Sequence, residues 1–189
     1  MIIFVHGYEG PGEGHWQVLL HRELSARGIP SLFPELPEPL APERDRWVEK
    51  LAGCAASAGD RRVIFICHSL GCWAFDHLLE SGGAPNAHGA FLVSPPSPFL
   101  LFEAVQSFLP PPLSRSTWEP IAERSLLVGS DDDDYAGSDE HAEMAGTLGI
   151  EHRIVTGGGH INTESGFGAW PLPLEWLKAV GGLGEASAP

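Results

Sequence analysis

The chain has 189 residues, 43% of them hydrophobic, and a formal net charge of −14 at pH 7. That length suits one domain burying roughly 70% of its unfolded surface, and no window approaches the ~20 apolar residues of a membrane span. The charge argues against a nucleic-acid partner, since a polyanion is repelled and no Lys/Arg cluster offsets the acids.

Met1-Ile2-Ile3-Phe4-Val5 reads as a buried strand over 2–6. It lacks the basic start of a signal peptide. Together with three cysteines (Cys54, Cys67 and Cys72) that show no metal-ligand spacing, this suggests reduced thiols in a cytoplasm. His6-Gly7-Tyr8-Glu9-Gly10 follows as a turn that lets backbone approach a ligand closely. A helix is then expected on Trp16, Leu19, Leu20 and Leu24, stopped by Gly28. A second strand is expected over 31–36, then a helix carrying Trp47, Leu51, Cys54 and Ala55.

The third apolar run, 63–67, leads straight into His68-Ser69-Leu70-Gly71, after which Leu70, Trp73, Ala74, His77 and Leu78 mark a helix ended by Gly82-Gly83. Strand, sharp turn and helix make a nucleophile elbow, which lifts a serine hydroxyl above the end of a parallel sheet. The usual G-x-S-x-G reads C-x-S-x-G here, with the small Cys67 in a crowded position. Ser69 is the candidate nucleophile. The N–H of Leu70, at a helix N-terminus, and that of Tyr8, after the first strand, are the candidate oxyanion donors.

A fourth strand is expected over 90–94. The long interruption from 95 to 120 holds Phe99-Leu100-Leu101-Phe102 and Pro110-Pro111-Pro112, and reads as a small cap over the pocket. A fifth strand over 125–128 runs into Ser130-Asp131-Asp132-Asp133-Asp134-Tyr135. A carboxylate here can hold a histidine in the correct tautomer, although four adjacent acids cannot all point one way and most should be solvated. From Asp132 to Glu143 the run also reads D-x-D-x-A-G-x5-E, an EF-hand loop failing only at Ala136. An EF-hand needs an incoming helix where this chain has a strand-like run, so no metal is expected. A helix with Ala142, Ala145 and Leu148, capped by Ser138 or Asp139, precedes a sixth strand over 152–155. Gly157-Gly158-Gly159-His160 then leaves His160 free to reach Ser69, in the chain order Ser, Asp, His of α/β-hydrolases. His68 should point away across its strand. Leu174, Leu177 and Val180 mark a last helix within a single domain over 1–184, and 185–189 reads as a frayed tail.

These motifs carry a family resemblance. His6-Gly7 with His15-Trp16, Pro34-x-Leu36-Pro37 before Trp47, His68-Ser69-Leu70-Gly71, and Gly159-His160-Ile161-Asn162 followed by Ser165-Gly166-x-Gly168-x-Trp170-Pro171 are similar to the retinoblastoma-binding protein 9-like serine hydrolases. That resemblance implies a compact α/β-hydrolase fold: a six-stranded, mostly parallel sheet in the order 2-1-3-4-5-6 with helices on both faces. The family's acid lies in a Ser-x-Asp-Asp-Pro-aromatic stretch, which maps onto Asp133. Asp134 stands in the proline's place, so Asp132 is the alternative.

The expected function is hydrolysis of small neutral esters or amides by Ser69, His160 and Asp133, with no cofactor. An acyltransferase or lyase on the same fold is one alternative. An interaction module with a vestigial site is another, but the nearest L-x-C-x-E segment, Leu70-Gly71-Cys72-Trp73-Ala74, lacks the glutamate and should be buried. No protein partner can be named from the sequence.

Overall fold

The computed structural model describes residues 1–183, so the tail expected at 185–189 lies outside the described residues. Its strands and helices alternate: β1 (Ile2–Val5), α1 (Trp16–Ala26), β2 (Ser31–Leu32), α2 (Arg44–Ala56), β3 (Val63–His68), α3 (Leu70–Glu80), β4 (Ala87–Val93), α4 (Arg115–Trp118), β5 (Leu126–Ser130), α5 (Ser138–Leu148), β6 (Glu151–Val155) and α6 (Leu172–Ala179). The strands form one sheet in the order β2-β1-β3-β4-β5-β6. Every neighbouring pair is parallel. The direction of winding reverses between β1 and β3, and the crevice beyond their carboxyl ends is where such sheets bind ligands.

The two-residue period of the strands splits the core into two layers. Ile3, Val5, Phe65, Cys67 and Leu92 pack under α2, α3 and α5 with Trp47, Phe75 and Met144. Ile2, Phe4, Ile64, Ile66 and Phe91 pack under α1 and α6 with Trp16, Leu24, Trp176 and Leu177. Both faces of the central strands are therefore apolar, and those strands read as continuous hydrophobic runs.

Two local expectations are corrected. The second strand spans two residues, Ser31–Leu32, instead of 31–36; Phe33 leaves the ladder to stack on Phe4, ring centroids 5.2 Å apart. The N-cap of α5 is Gly137, one residue before Ser138. The Glu140 carboxylate reaches back to accept the Gly137 N–H at 3.0 Å, half of a capping box made without a side chain at the cap. On α1, Gln17 is fully buried. Its amide donates to the carbonyls of Val5 (3.1 Å) and Ile66 (3.0 Å), bridging the ends of β1 and β3.

Between β4 and β5 the chain forms a 3₁₀ turn at Glu103–Phe108 and the short α4. Asp76, buried on α3, holds this segment down. Its two oxygens accept Trp118 Nε1–H at 2.7 Å and the Leu113 N–H at 2.9 Å. Burial raises the Asp76 carboxyl above its usual range, against these two bonds. Phe99 and Leu101, by contrast, are 82% and 97% exposed.

Candidate active site

Ser69 follows β3 with φ 53° and ψ −129°, a region that non-glycine residues enter only under constraint. The constraint is packing on both sides. A Cβ at Gly71 would lie 2.6 Å from the His6 carbonyl oxygen, and one at Gly7 would lie 2.7 Å from Ser69 Cβ. Gly7 and Gly71 thus let the turns after β1 and β3 touch. The Ser69 N–H is tied to the Val93 carbonyl at 2.9 Å. Tyr8 and Leu70 line the same pocket, and among the described residues the N–H of neither has an acceptor.

His160 Nε2 lies 2.9 Å from Ser69 Oγ. Its Nδ1 lies 3.0 Å from both oxygens of Asp133, whose side chain is fully buried. The Asp133 Oδ1 also accepts the Tyr135 N–H at 3.0 Å. The other acids of the run go elsewhere. Asp131 Oδ1 accepts the Gly157 N–H at 2.8 Å. Asp132 Oδ1 accepts the Gly159 N–H at 2.7 Å and the Ser130 hydroxyl at 2.6 Å, bonds that hold its carboxyl below the usual range. The alternative register through Asp132 therefore does not reach His160. Asp131, Asp132 and Asp134 are exposed, as expected for most of the run, and the first two also bond the facing loop. A strand, β5, enters the run, as the argument against an EF-hand required.

The loop bearing His160 is bonded at nearly every peptide. Gly158 N–H donates to Ser130 Oγ at 2.9 Å, and His160 N–H donates to Ser165 Oγ at 3.1 Å. Asn162 Oδ1 accepts from the Ser165 N–H and hydroxyl at 2.9 and 3.0 Å. On the carbonyl side, His68 Nε2–H donates to His160 at 3.0 Å, and Trp16 Nε1–H donates to Ile161 at 2.9 Å. Ile161 sits at φ 48°, fully buried. His68 does turn away from Ser69, beneath His160, with ring centroids 5.0 Å apart. His6 Nδ1 bonds the Gly7 carbonyl at 2.8 Å. The roles of Ser130, Ser165, Trp16 and Gln17 were missed; only the Asn162–Ser165 spacing hinted at one of them.

A pocket of about 910 Å³ opens over Ser69. Leu70, Leu100, Phe102 and Val105 give it an apolar side, while Glu9, Glu13 and Glu164 stand around it, and among the described residues no Lys or Arg lines it. The segment Leu70–Ala74 is buried, as expected for the interior of an elbow helix.

An all-parallel sheet in this order, with a strained serine between β3 and α3, defines an α/β-hydrolase fold. The chain belongs to the Serine hydrolase family, whose model matches residues 2–179. It is 26% identical over 186 residues to YdeN of Bacillus subtilis (strain 168), covering 94% of each chain. A YdeN-like protein of Pectobacterium atrosepticum superimposes with a TM-score of 0.79 at 26% identity, over 95% of this chain and 89% of that one. Carboxylesterase CesB of B. subtilis, 12% identical, shares the fold with a TM-score of 0.57 over 98% and 84% of the two chains. Among the described residues no helix is long and apolar enough to cross a membrane.

Proposed function

We propose that the protein hydrolyses small, neutral carboxylic esters or amides through an acyl-enzyme on Ser69. The observation that carries this is the chain of contacts from Ser69 Oγ to His160 Nε2 (2.9 Å) and from His160 Nδ1 to Asp133 (3.0 Å), on a serine whose backbone is held at positive φ. Ser69 attacks the carbonyl carbon while His160 takes its proton. The N–H groups of Tyr8 and Leu70 bind the developing oxyanion. His160 then returns the proton to the leaving group, and water repeats the sequence on the acyl-enzyme. Asp133 keeps the imidazole proton on Nδ1 and stabilises the charged ring.

The substrate class follows from the pocket. With carboxylates around it and no cation in its lining, an anionic substrate meets repulsion with nothing to offset it. An uncharged ester with an apolar part fits Leu100, Phe102 and Val105. Residues 95–120 are then a small cap, and 1–184 a single cytoplasmic domain. Within its family the chain resembles the retinoblastoma-binding protein 9-like branch, on the motifs around His15, Ser69 and His160.

The test is covalent. A fluorophosphonate should label the protein once, at Ser69, and Ser69→Ala should abolish labelling and lower kcat on neutral esters by about 10⁴ or more. Undiminished labelling of Ser69→Ala would refute the assignment.

A further inference from the structure

The pocket has a second polar face for which the reaction above has no use. His15 and His68 both line it beside Ser69 and His160. Their rings stand edge to face with centroids 4.8 Å apart. The hydrogen bonds each ring makes to the protein decide what its other nitrogen can offer. His15 Nδ1 accepts the Gln17 N–H at 3.2 Å as the N-cap of α1. That nitrogen is therefore bare, and the proton of the neutral ring sits on Nε2. His68 is the converse. Its Nε2 faces the His160 carbonyl oxygen at 3.0 Å; a carbonyl only accepts, so Nε2 carries the proton and Nδ1 is bare. Neither His15 Nε2 nor His68 Nδ1 has a partner among the described residues, and neither is sealed from the pocket as Gln17 Oε1 is.

Both rings stay neutral. Burial first, then the neighbouring histidines, hold His68 well below its ordinary value and bring His15 down to about 4. A neutral histidine pair with fixed tautomers presents one donor and one acceptor to the same space. Water satisfies such a pair easily. A ligand that displaces the water must replace both bonds or leave one nitrogen unpaired, which costs affinity.

We propose that His15 Nε2–H and His68 Nδ1 form a donor–acceptor subsite that binds an uncharged group able both to accept and to donate a hydrogen bond, such as a carboxamide or hydroxyl, on the part of the substrate away from the scissile bond. Calling that ligand a substrate rests on the hydrolase reading; the recognition chemistry does not. The subsite selects against carboxylates, which cannot donate to His68, and against ammonium groups, which cannot accept from His15.

The experiment uses the full chain with ¹⁵N-labelled histidine and two small probes of one shape, propionamide and butanone. The amide accepts and donates; the ketone only accepts. In the free protein at neutral pH, His15 and His68 should both show the Nε2–H tautomer. Propionamide should shift His15 Nε2 and His68 Nδ1 together, and butanone should shift His15 Nε2 alone. In kinetics, an ester carrying a remote carboxamide should exceed its methyl-ketone analogue by about tenfold in kcat/KM. His15→Phe should lower kcat/KM for both esters, because both accept from His15 Nε2–H. A proton on His68 Nδ1 in the free protein, shifts with neither probe, or shifts alike with both would overturn the subsite. So would equal kcat/KM for the two esters. If neither ester is cleaved, the hydrolase reading fails, and the nitrogen shifts of the wild-type protein still decide this one.

Discussion

The loop that presents His160 and the segment that overhangs Ser69 flank one pocket but are held by different forces. Residues 157–161 are fixed by directional bonds from Asp131, Asp132, Ser130, Ser165, His68 and Trp16. The 95–120 segment has its own polar clamp in Asp76, but its tip carries Phe99 and Leu101 almost fully in solvent. Directional bonds fix position to fractions of an ångström, and the 2.9 Å contact of His160 Nε2 with Ser69 Oγ stands on this network. Apolar packing has no preferred direction and tolerates sliding. Precision and accommodation are thus assigned to opposite walls of the pocket.

The largest expected effect breaks the precise wall at its centre. Asp133→Asn should lower kcat by about 10⁴, because the amide favours the wrong imidazole tautomer. Asp134→Asn, at an exposed position without a bond to the loop, should leave kcat within a factor of two or so. Asp132→Ala should fall between, at about 10² in kcat with KM little changed, because it frees the Gly159 N–H and lets His160 drift. Steady-state kinetics on one neutral ester separate the three, and equal losses would refute the division of labour among the acids.

Acid should attack the same wall. His15 is neutral when folded, with its pKa brought down to about 4 from 6.5. A depressed histidine stabilises the fold fully above its unfolded value and loses that contribution as pH falls through the folded one. Stability should therefore decline between about pH 6.5 and 4, by on the order of 3 kcal/mol from this residue. Urea unfolding at several pH values checks this, and His15→Phe should flatten the slope.

Asp76 tests the overhanging wall with the opposite sign. Its folded carboxyl lies above the usual range, so its contribution is greatest below the unfolded value of about 3.9 and is lost as pH rises through the folded one. Asp76→Asn turns an amide donor towards Trp118 or Leu113 and should cost about 1–3 kcal/mol at neutral pH, read by denaturation. Any loss of kcat should be far smaller than for Asp132→Ala. The smallest effect is Phe99→Ser or Leu101→Ser, within about 0.5 kcal/mol because both side chains are already in water.

The two walls were unequally legible in the sequence. Six apolar runs between helical patterns, with glycines such as Gly28 and Gly82 at helix ends, were enough for a parallel sheet, because burial on both faces writes itself as hydrophobic continuity; the strand order came from the family resemblance. Ser69 and His160 could be named because each lies in a turn after a strand, and Asp133 because the family resemblance maps its acid there; the fold brings the three into contact. What each neighbouring aspartate does was not legible, since the donors it meets lie some 25 residues further on and no local pattern encodes that meeting. Gln17 and Asp76 look like surface positions on amphipathic helices; only the carbonyls of Val5 and Ile66, and the Trp118 indole, make them interior. The cap of α5 was misread although its signal, Glu140 three residues after Gly137, was present.

The backbone of Ser69 carries a consequence for the chain's own history. A hydroxyl-bearing residue at φ 53° costs of order 1–3 kcal/mol that a glycine there would largely avoid. Drift towards greater thermal endurance therefore has an easy step at this very position, and that step removes the hydroxyl of the proposed nucleophile. Any lineage selected only to stay folded would be drawn towards Ser69→Gly, so inactive cousins of this protein should melt later than active ones.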